Sequence, residues 1–276
     1  MKQKVLTNSI IYIVLIAGAI IVLFPLYITI VTSLKSPQML SADFFGLPDV
    51  LYLDNYKKIL SDAGFLRYLF NTTLITGLTV GAVIVLVPAV SYAIARNFKS
   101  RYFKILYFII LSGIFVPMQV ILVPEVKLAS ALGMMTPIGV VPIYIAIAFS
   151  SNTFLAVGFI KKIPYEIDES AQLDGAGPIK TFFHIIFPIS RPIVATIAIL
   201  ATLWVWNDFL LPLIMLNKST AYWTLTIFAY NMRNQFAVDY TVSSAAFLLS
   251  LIPVFIAYIF LQKYIIQGLA QGSVKG

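Results

Sequence analysis

Apolar residues run for about twenty positions at a stretch along this chain, long enough to cross roughly 30 Å of hydrocarbon as a helix. Six such runs extend over Ser9–Leu34, Tyr68–Ala95, Ile105–Val123, Met135–Ile160, Ile193–Leu216 and Val242–Leu261. They are too long and too continuously apolar for the alternating pattern of barrel strands, and a helix satisfies its own backbone groups in lipid. The pattern predicts an all-α membrane protein with six transmembrane helices. Pro25, Pro88 and Pro142 fall inside the runs and predict kinks or local breaks.

Between the fourth and fifth runs, the polar interval from Lys161 to Arg191 predicts two short helices joined at a glycine. Pro164 suits a first helical turn, where its missing N–H is not needed, and Glu166, Asp168 and Glu169 place negative charge at the positive helix end. Gly175 follows Leu173 and Asp174 where a left-handed C-terminal cap would fall. Ile179, Phe182, Phe183, Ile186 and Phe187 then recur at the spacing of a one-sided helix that Pro188 and Pro192 end. Two readings of this interval stand on pattern alone: a connector lying on the membrane, and a docking element for a partner.

Composition agrees with a lipid solvent: 60% of residues are hydrophobic and 11% charged, with a mean hydropathy of +0.94. The 21 Phe and 15 Tyr suit headgroup boundaries and helix packing. The net charge of +8 is scattered between apolar runs instead of forming one basic face, so it reads as membrane topology and not nucleic-acid binding. With the N-terminus placed in the cytoplasm, 12 of the 19 basic residues fall inside, including the cluster Arg96, Lys99, Arg101 and Lys104. Both termini are therefore predicted to be cytoplasmic. Lys2 and Lys4 precede an apolar run without a small-residue cleavage site, which is read as a retained first span. The external segment from Lys35 to Arg67 carries Leu51, Tyr56, Ile59, Leu60 and Phe65 among charges, the pattern of a short amphipathic helix that either docks a partner or caps the bundle.

The chain has no cysteine, which excludes thiol chemistry and thiolate metal sites, and one histidine, His184, which excludes histidine clusters and serine triads. His184 falls on the polar side of the second short helix, either solvated or touching a partner. No catalytic residue and no metal site are expected. Asp208 is the one acidic residue inside a predicted span and follows Trp206 and Asn207, so it is either a capped structural group or a substrate contact. Gln119, Asn152 and Thr153 are weaker pathway candidates. Gly77 and Gly81 form a G-x-x-x-G that permits close helix approach. The tail from Gln262 to Gly276 is read as too rich in glycine for a long helix.

Glu169-Ser170-Ala171, then Gly175, then Ile185, Phe187 and Pro188 resemble the "EAA" loop of the membrane subunits of bacterial ABC importers, Glu-Ala-Ala, three residues, Gly, nine residues, Ile-x-Leu-Pro. Every spacing fits; Ser170 replaces the second Ala and Phe187 the Leu. The resemblance extends to the six-span partner subunit of maltose-transporter-type sugar permeases through Phe24-Pro25-Leu26, Asn71, Ser91-Tyr92-Ala93-Ile94-Ala95-Arg96, Ile163-Pro164, Asp174-Gly175-Ala176 and Trp206-Asn207-Asp208-Phe209. The ending, Gln262-Lys263-Tyr264 with Gly268-Leu269 and Gly272 to Gly276, agrees.

The resemblance implies a type I ABC importer transmembrane domain in a bacterial or archaeal cytoplasmic membrane, forming half of the pathway of a binding-protein-dependent importer of sugar, more specifically oligosaccharide. It divides the chain into residues 1–66, a first span with an external segment, and residues 67–276, the transporter domain with a coupling loop at 161–191 and a cytoplasmic tail at 262–276. Glu169, Ser170, Ala171, Asp174, Gly175, Ala176, Ile185 and Pro188 would engage a cytoplasmic ATPase, and Gln119, Asn152, Thr153, Asn207 and Asp208 would lie along the pathway. The implied partners are a second, homologous permease subunit, two ATPase subunits and an external sugar-binding protein. ATP and Mg would sit on the ATPase, since this chain lacks a G-x-x-x-x-G-K-[ST] phosphate loop. A β-branched residue at Gly175, or Lys at Glu169, is expected to uncouple transport without preventing insertion. Two rival classes predict other features. An ion-coupled transporter would show an internal repeat and intramembrane charge pairs, and a membrane enzyme an assembled nucleophile, metal or acid/base pair.

Overall fold

In lipid, backbone groups must be paired within their own segment, and helices make up most of the described residues. A computed structural model describes residues 2–232 and 239–273. In chain order the helices are α1 (Lys2–Ser33), α2 (Pro37–Ala42), α3 (Asp54–Leu60), α4 (Phe65–Arg96), α5 (Arg101–Ser112), α6 (Met118–Ala131), α7 (Val141–Ile160), α8 (Glu166–Leu173), α9 (Pro178–Thr181), α10 (Phe187–Ile189), α11 (Arg191–Asn207), α12 (Leu210–Leu216), α13 (Leu225–Asn231) and α14 (Tyr240–Ser273). Short 3-10 turns lie at Gly113–Phe115 and Thr220–Tyr222, and a π turn at Phe182–Ile186.

Among the described residues, three helices are long and apolar enough to cross a membrane unbroken: Ile11–Ser33, Phe65–Arg96 and Val141–Ile160. Two further candidates are bent pairs, Arg101–Phe115 with Met118–Ala131 at 104° and Pro178–Ile189 with Arg191–Asn207 at 77°, and Tyr240–Ile256 is a shorter apolar helix. Three of the expected continuous spans are therefore revised. The run from Ile105 to Val123 breaks because Pro117 has no N–H and forces Val116 before it into an extended conformation (φ −96°, ψ 109°). The run from Met135 helps form α7 only from Val141, since Pro142 opens that helix instead of kinking it. The run from Ile193 to Leu216 is interrupted at Asp208, which is extended between α11 and α12. Pro25 and Pro88, by contrast, lie within uninterrupted helices.

The tail also differs from expectation, because α14 continues to Ser273. Gly268 and Gly272 each cost only about 1 kcal/mol against alanine, and a helix already nucleated upstream propagates through them. Residues 233–238, with Arg233, and residues 274–276, with Lys275, lie outside the described residues.

The chain divides into two compact units, Met1–Leu66 with Leu225–Ile252, and Arg67–Thr224 with Pro253–Gly276. The first is organised by polar groups. Asn55 Nδ2 donates to the carbonyls of Ser33 and Lys35, each at 2.9 Å, and its Oδ1 accepts from Thr241 Oγ1 at 3.2 Å. The fully buried Lys35 ammonium donates to the Asp43 carbonyl at 2.6 Å. The amphipathic helix expected in the external segment is α3, with Ile59 buried and Leu60 exposed, while exposed Leu51 lies ahead of it and Phe65 opens α4.

The second unit is a helix bundle in which Val83 and Val87 of α4, Ala148 and Ala156 of α7, and Ile197 and Ala201 of α11 share one core. Alanines at three of these contact points let long helices approach closely without a water-driven hydrophobic term. Among the described residues Gly77 and Gly81 are not used this way, for a Cβ at either would meet no atom there within 4 Å outside its own helix turn. Asn71 fastens the other end of α4, donating to the carbonyls of Ala221 and Trp223 at 2.9 Å each.

Candidate functional site

At its C-terminal end, α4 carries Tyr92 and Arg96 one helical turn apart on the same face. Both converge on Asp168, the third residue of α8, which is 2% exposed. The Tyr92 hydroxyl donates to Asp168 Oδ1 at 2.6 Å, and Arg96 Nη2 stands 2.6 Å from Asp168 Oδ2. That second contact is an ion pair lying off the line of an ideal hydrogen bond. Arg96 Nη1 also donates to the Ile163 carbonyl at 2.9 Å, and its guanidinium lies 5.9 Å and 5.7 Å from the ring centres of Tyr92 and Tyr165. A buried charge pair is costly to leave half-made, so its geometry ties the end of α4 to the start of α8.

Beyond Asp168 the loop turns where the glycine predicts it. Gly175 has φ +78°, and the Ala176 amide donates to the Ala171 carbonyl at 2.9 Å while the Gly175 amide donates to Gln172 at 3.0 Å. This is a Schellman cap, and Ala171 and Ala176 are the pair it brings close. Pro164 lies ahead of α8, whose first residue is Glu166, and so does not supply the first turn.

The helix expected after Gly177 runs over Pro178–Ile189 as α9, the π turn and α10 in unbroken succession. Pro188 has no N–H to give the carbonyl four residues back, and Phe187 donates to Phe182 across the wider turn. The apolar stripe divides accordingly. Phe182 and Ile186 are buried against Ile160 and Ile163, whereas Ile179 is 74% and Phe183 48% exposed. Leu173, at the end of α8, is 89% exposed. A pocket of about 610 Å³ lies between these elements, lined by Tyr92, Arg96, Asp168, Ile179, Phe182 and Phe183 among others.

The residues expected in the loop thus separate by role. Ala171 is buried and Gly175 and Ala176 form the cap, Glu169, Ser170 and Asp174 are exposed, and Ile185 and Pro188 are half-buried. Exposed His184 sits with Nδ1 3.1 Å from the Lys180 carbonyl. Tyr92, Arg96 and Asp168 were not singled out as a site by sequence reasoning. Arg96 read as a topology charge and Asp168 as a helix-dipole charge, and only the fold shows that they meet.

The pathway candidates do not converge. Asn152 lines a separate pocket of about 490 Å³ with Ser150, Ser151, Met118 and Trp204, and its Nδ2 donates to the Ala148 carbonyl at 2.7 Å. Gln119 is exposed, Thr153 is fully buried, and neither lines that pocket. Exposed Asn207 donates to Leu203 at 2.7 Å. Asp208 occupies the break between α11 and α12, accepting from Tyr144 Oη at 2.7 Å and from the Leu210 amide at 3.1 Å. Its carboxylate caps a helix and bonds a buried tyrosine, so Asp208→Ala is expected to cost about 1–3 kcal/mol of stability. Thermal unfolding in detergent, compared with Asp208→Asn, measures this; equal midpoints for Ala and the parent would contradict the capping role.

Among the described residues there is no group of three or more His, Cys, Asp or Glu that could hold a metal ion. Residues 84–271 match the family described as "Binding-protein-dependent transport system inner membrane component". The chain is 42% identical over 266 residues to the multiple sugar-binding transport system permease protein MsmG of Streptococcus mutans, covering 96% of each. It is 31% identical over 254 residues to the melibiose/raffinose/stachyose import permease protein MelC of Bacillus subtilis, covering 91% of each. In fold it resembles a chain of a bacterial ABC transporter involved in the import of the acidic polysaccharide alginate, with a TM-score of 0.83 at 22% identity over 96% of this chain and 98% of that one.

Proposed function

The chain belongs to the family of binding-protein-dependent transport system inner membrane components, as a sugar ABC transporter permease subunit, and from that membership we propose that it forms half of the translocation pathway of an ATP-driven oligosaccharide importer. ATP and Mg bind a separate cytoplasmic ATPase that docks on the loop from Lys161 to Arg191. A homologous second permease completes the membrane pathway, and an external binding protein delivers the sugar. Six spans are counted if each bent pair crosses once and α14 crosses as well, which leaves both termini in the cytoplasm.

One observation carries the coupling role: the loop is rigidly tied to a membrane-spanning helix while holding apolar side chains outward. Asp168 is locked to Tyr92 and Arg96 of α4, and Leu173 and Ile179 stand exposed on either side of the Gly175 turn. An element built this way transmits a push on its outer face into the membrane as a rigid-body displacement. The oligosaccharide reading rests on the relatives' names, and the Asn152 pocket, lined by Trp204 together with Ser150, Ser151 and the Asn152 amide, has side chains that suit sugar contact.

Co-purification tests the assignment. The tagged chain, expressed with its neighbours, is expected to bring down an ATPase subunit and a second permease, and vesicles holding the complex should accumulate oligosaccharide only with ATP and the loaded binding protein. Ion-driven uptake by this chain alone would refute it. Glu169→Lys, an exposed change worth about 0.3–1 kcal/mol through the helix dipole, should leave the chain inserted and weaken ATPase recovery.

A further inference from the structure

Five cations gather where α4 ends, α5 begins and α7 ends: Lys99, Arg101, Lys104, Lys161 and Lys162, all exposed. None of them forms an ion pair among the described residues; the ion pairs found there are Lys57 with Asp54 and Arg96 with Asp168. The nearest basic residue that does have an acid, Arg96, is thus already committed to the coupling loop. No acidic residue lies in the first turn of α5.

The cluster is built on an aromatic platform. Phe98 and the buried Tyr107 meet edge to face at 5.5 Å. Lys161 places its ammonium 2.9 Å from the centre of the Phe98 ring and 5.8 Å from that of Tyr107, and Lys104 stands 5.8 Å from the Phe98 ring. The ring attracts each cation, while the two lysines repel one another. Partial burial, and then the neighbouring Lys104, pull the Lys161 ammonium below its ordinary value. Lys161 gains from the negative C-terminal end of α7, whereas Lys104 and Arg101 sit unfavourably at the positive end of α5. An anion placed between them relieves both costs.

The position of the cluster identifies the anion. Arg101 and Lys104 share one face of α5 with Ile105, Phe108 and Ile109, which are 49%, 59% and 64% exposed. Arg101 lies one turn, about 6 Å, before Ile105 along the axis. That is the depth over which hydrocarbon gives way to headgroups. Tyr102, 68% exposed, sits at the same level, as interfacial aromatics do.

We propose that Lys104 and Lys161, seated on the Phe98 ring and flanked by Lys99, Arg101 and Lys162, form a binding site for the headgroup of an anionic phospholipid, whose acyl chains lie along the exposed Ile105, Phe108 and Ile109 stripe of α5. The site fixes the end of α4 close to the residue that grips the coupling loop, so lipid charge bears on the same helix end as Arg96.

The full chain in its complex is extracted from nanodiscs of phosphatidylglycerol diluted into phosphatidylcholine, and retained lipid is identified by native mass spectrometry. Phosphatidylglycerol should be enriched in the parent, and the enrichment should fall roughly tenfold to thirtyfold in Lys104→Gln/Lys161→Gln, from about fivefold per lysine near an anionic surface. Lys104→Arg/Lys161→Arg should retain it, and Lys218→Gln, an exposed lysine elsewhere, should not change it. Undiminished enrichment in the double Gln variant overturns the proposal. So does a double Gln variant that keeps its phosphatidylglycerol but loses a partner subunit, which would assign the cluster to an acidic protein surface.

Discussion

Replacing Arg96 with Met is expected to destabilise the chain by about 3–5 kcal/mol and to disconnect sugar uptake from ATP hydrolysis. The size follows from what is left behind. Asp168 is 2% exposed, and without the guanidinium its charge keeps one hydroxyl partner, Tyr92. Removing one member of a buried pair leaves the other charge unsolvated, which costs far more than the intact pair contributes. A stability loss alone would not establish coupling, so the informative variant is Arg96→Met/Asp168→Leu. Replacing both charges with apolar groups restores most of the lost stability, yet the link between α4 and α8 stays cut. Uptake in proteoliposomes should then remain depressed by about 5–150-fold, the range of ordinary coupling free energies, while ATPase activity ceases to respond to loaded binding protein. Recovery of uptake along with stability in the double variant would reduce the triad of Tyr92, Arg96 and Asp168 to a folding device.

Gly175→Val is the second expected large effect, and it separates backbone conformation from space. A Cβ at residue 175 would meet no atom within 4 Å, so bulk is not what the position forbids. Its φ of +78° is forbidden instead. A left-handed conformation costs an ordinary L-residue about 1–2 kcal/mol, more when it is β-branched, and least for asparagine. Valine should relieve that strain by opening the Schellman cap, turning α9 away from α8 and parting Leu173 from Ile179. The expected result is a chain inserted in normal amount that recovers little ATPase, with Gly175→Asn close to the parent. Equal loss in the Asn and Val variants would point to surface contact at residue 175 rather than to the turn.

Periodicity and punctuation carried the fold far in the sequence. Long apolar runs located α1, α4 and α7, and the glycine after Asp174 marked the turn, because both signals are local. What escaped were features decided by contacts distant in the chain. Nothing near Asp168 announces Arg96, which lies 72 positions earlier, since each charge has an adequate local explanation. The breaks at Pro117 and Asp208 were hidden for a different reason. Hydropathy averages across a run and does not register a change of direction inside it. Asp208 shows what that averaging hides: placed inside one continuous span, with a capped structural group as one of its two readings, it stands at the end of one helix and accepts from the first amide of the next. Asn71 was quoted only as part of a resemblance, and its two bonds to the carbonyls of Ala221 and Trp223 explain why an amide suits the start of α4.

The π turn from Phe182 to Ile186 sets how the loop tolerates changes in length. A π turn is an α-helix holding one surplus residue, so deleting any one position there lets the segment relax into regular helix. The wide turn already absorbs the surplus residue, so such a deletion keeps the segments on either side near their present azimuth, whereas a deletion in the regular helix of α9 rotates everything upstream of it by about 100° relative to α11. Only the second kind of deletion swings Leu173 and the Gly175 turn away from Phe183. The π turn is therefore where the loop best tolerates the loss of one residue, and a one-residue deletion scan across the loop should show its mildest effect there and its sharpest in α8 and α9.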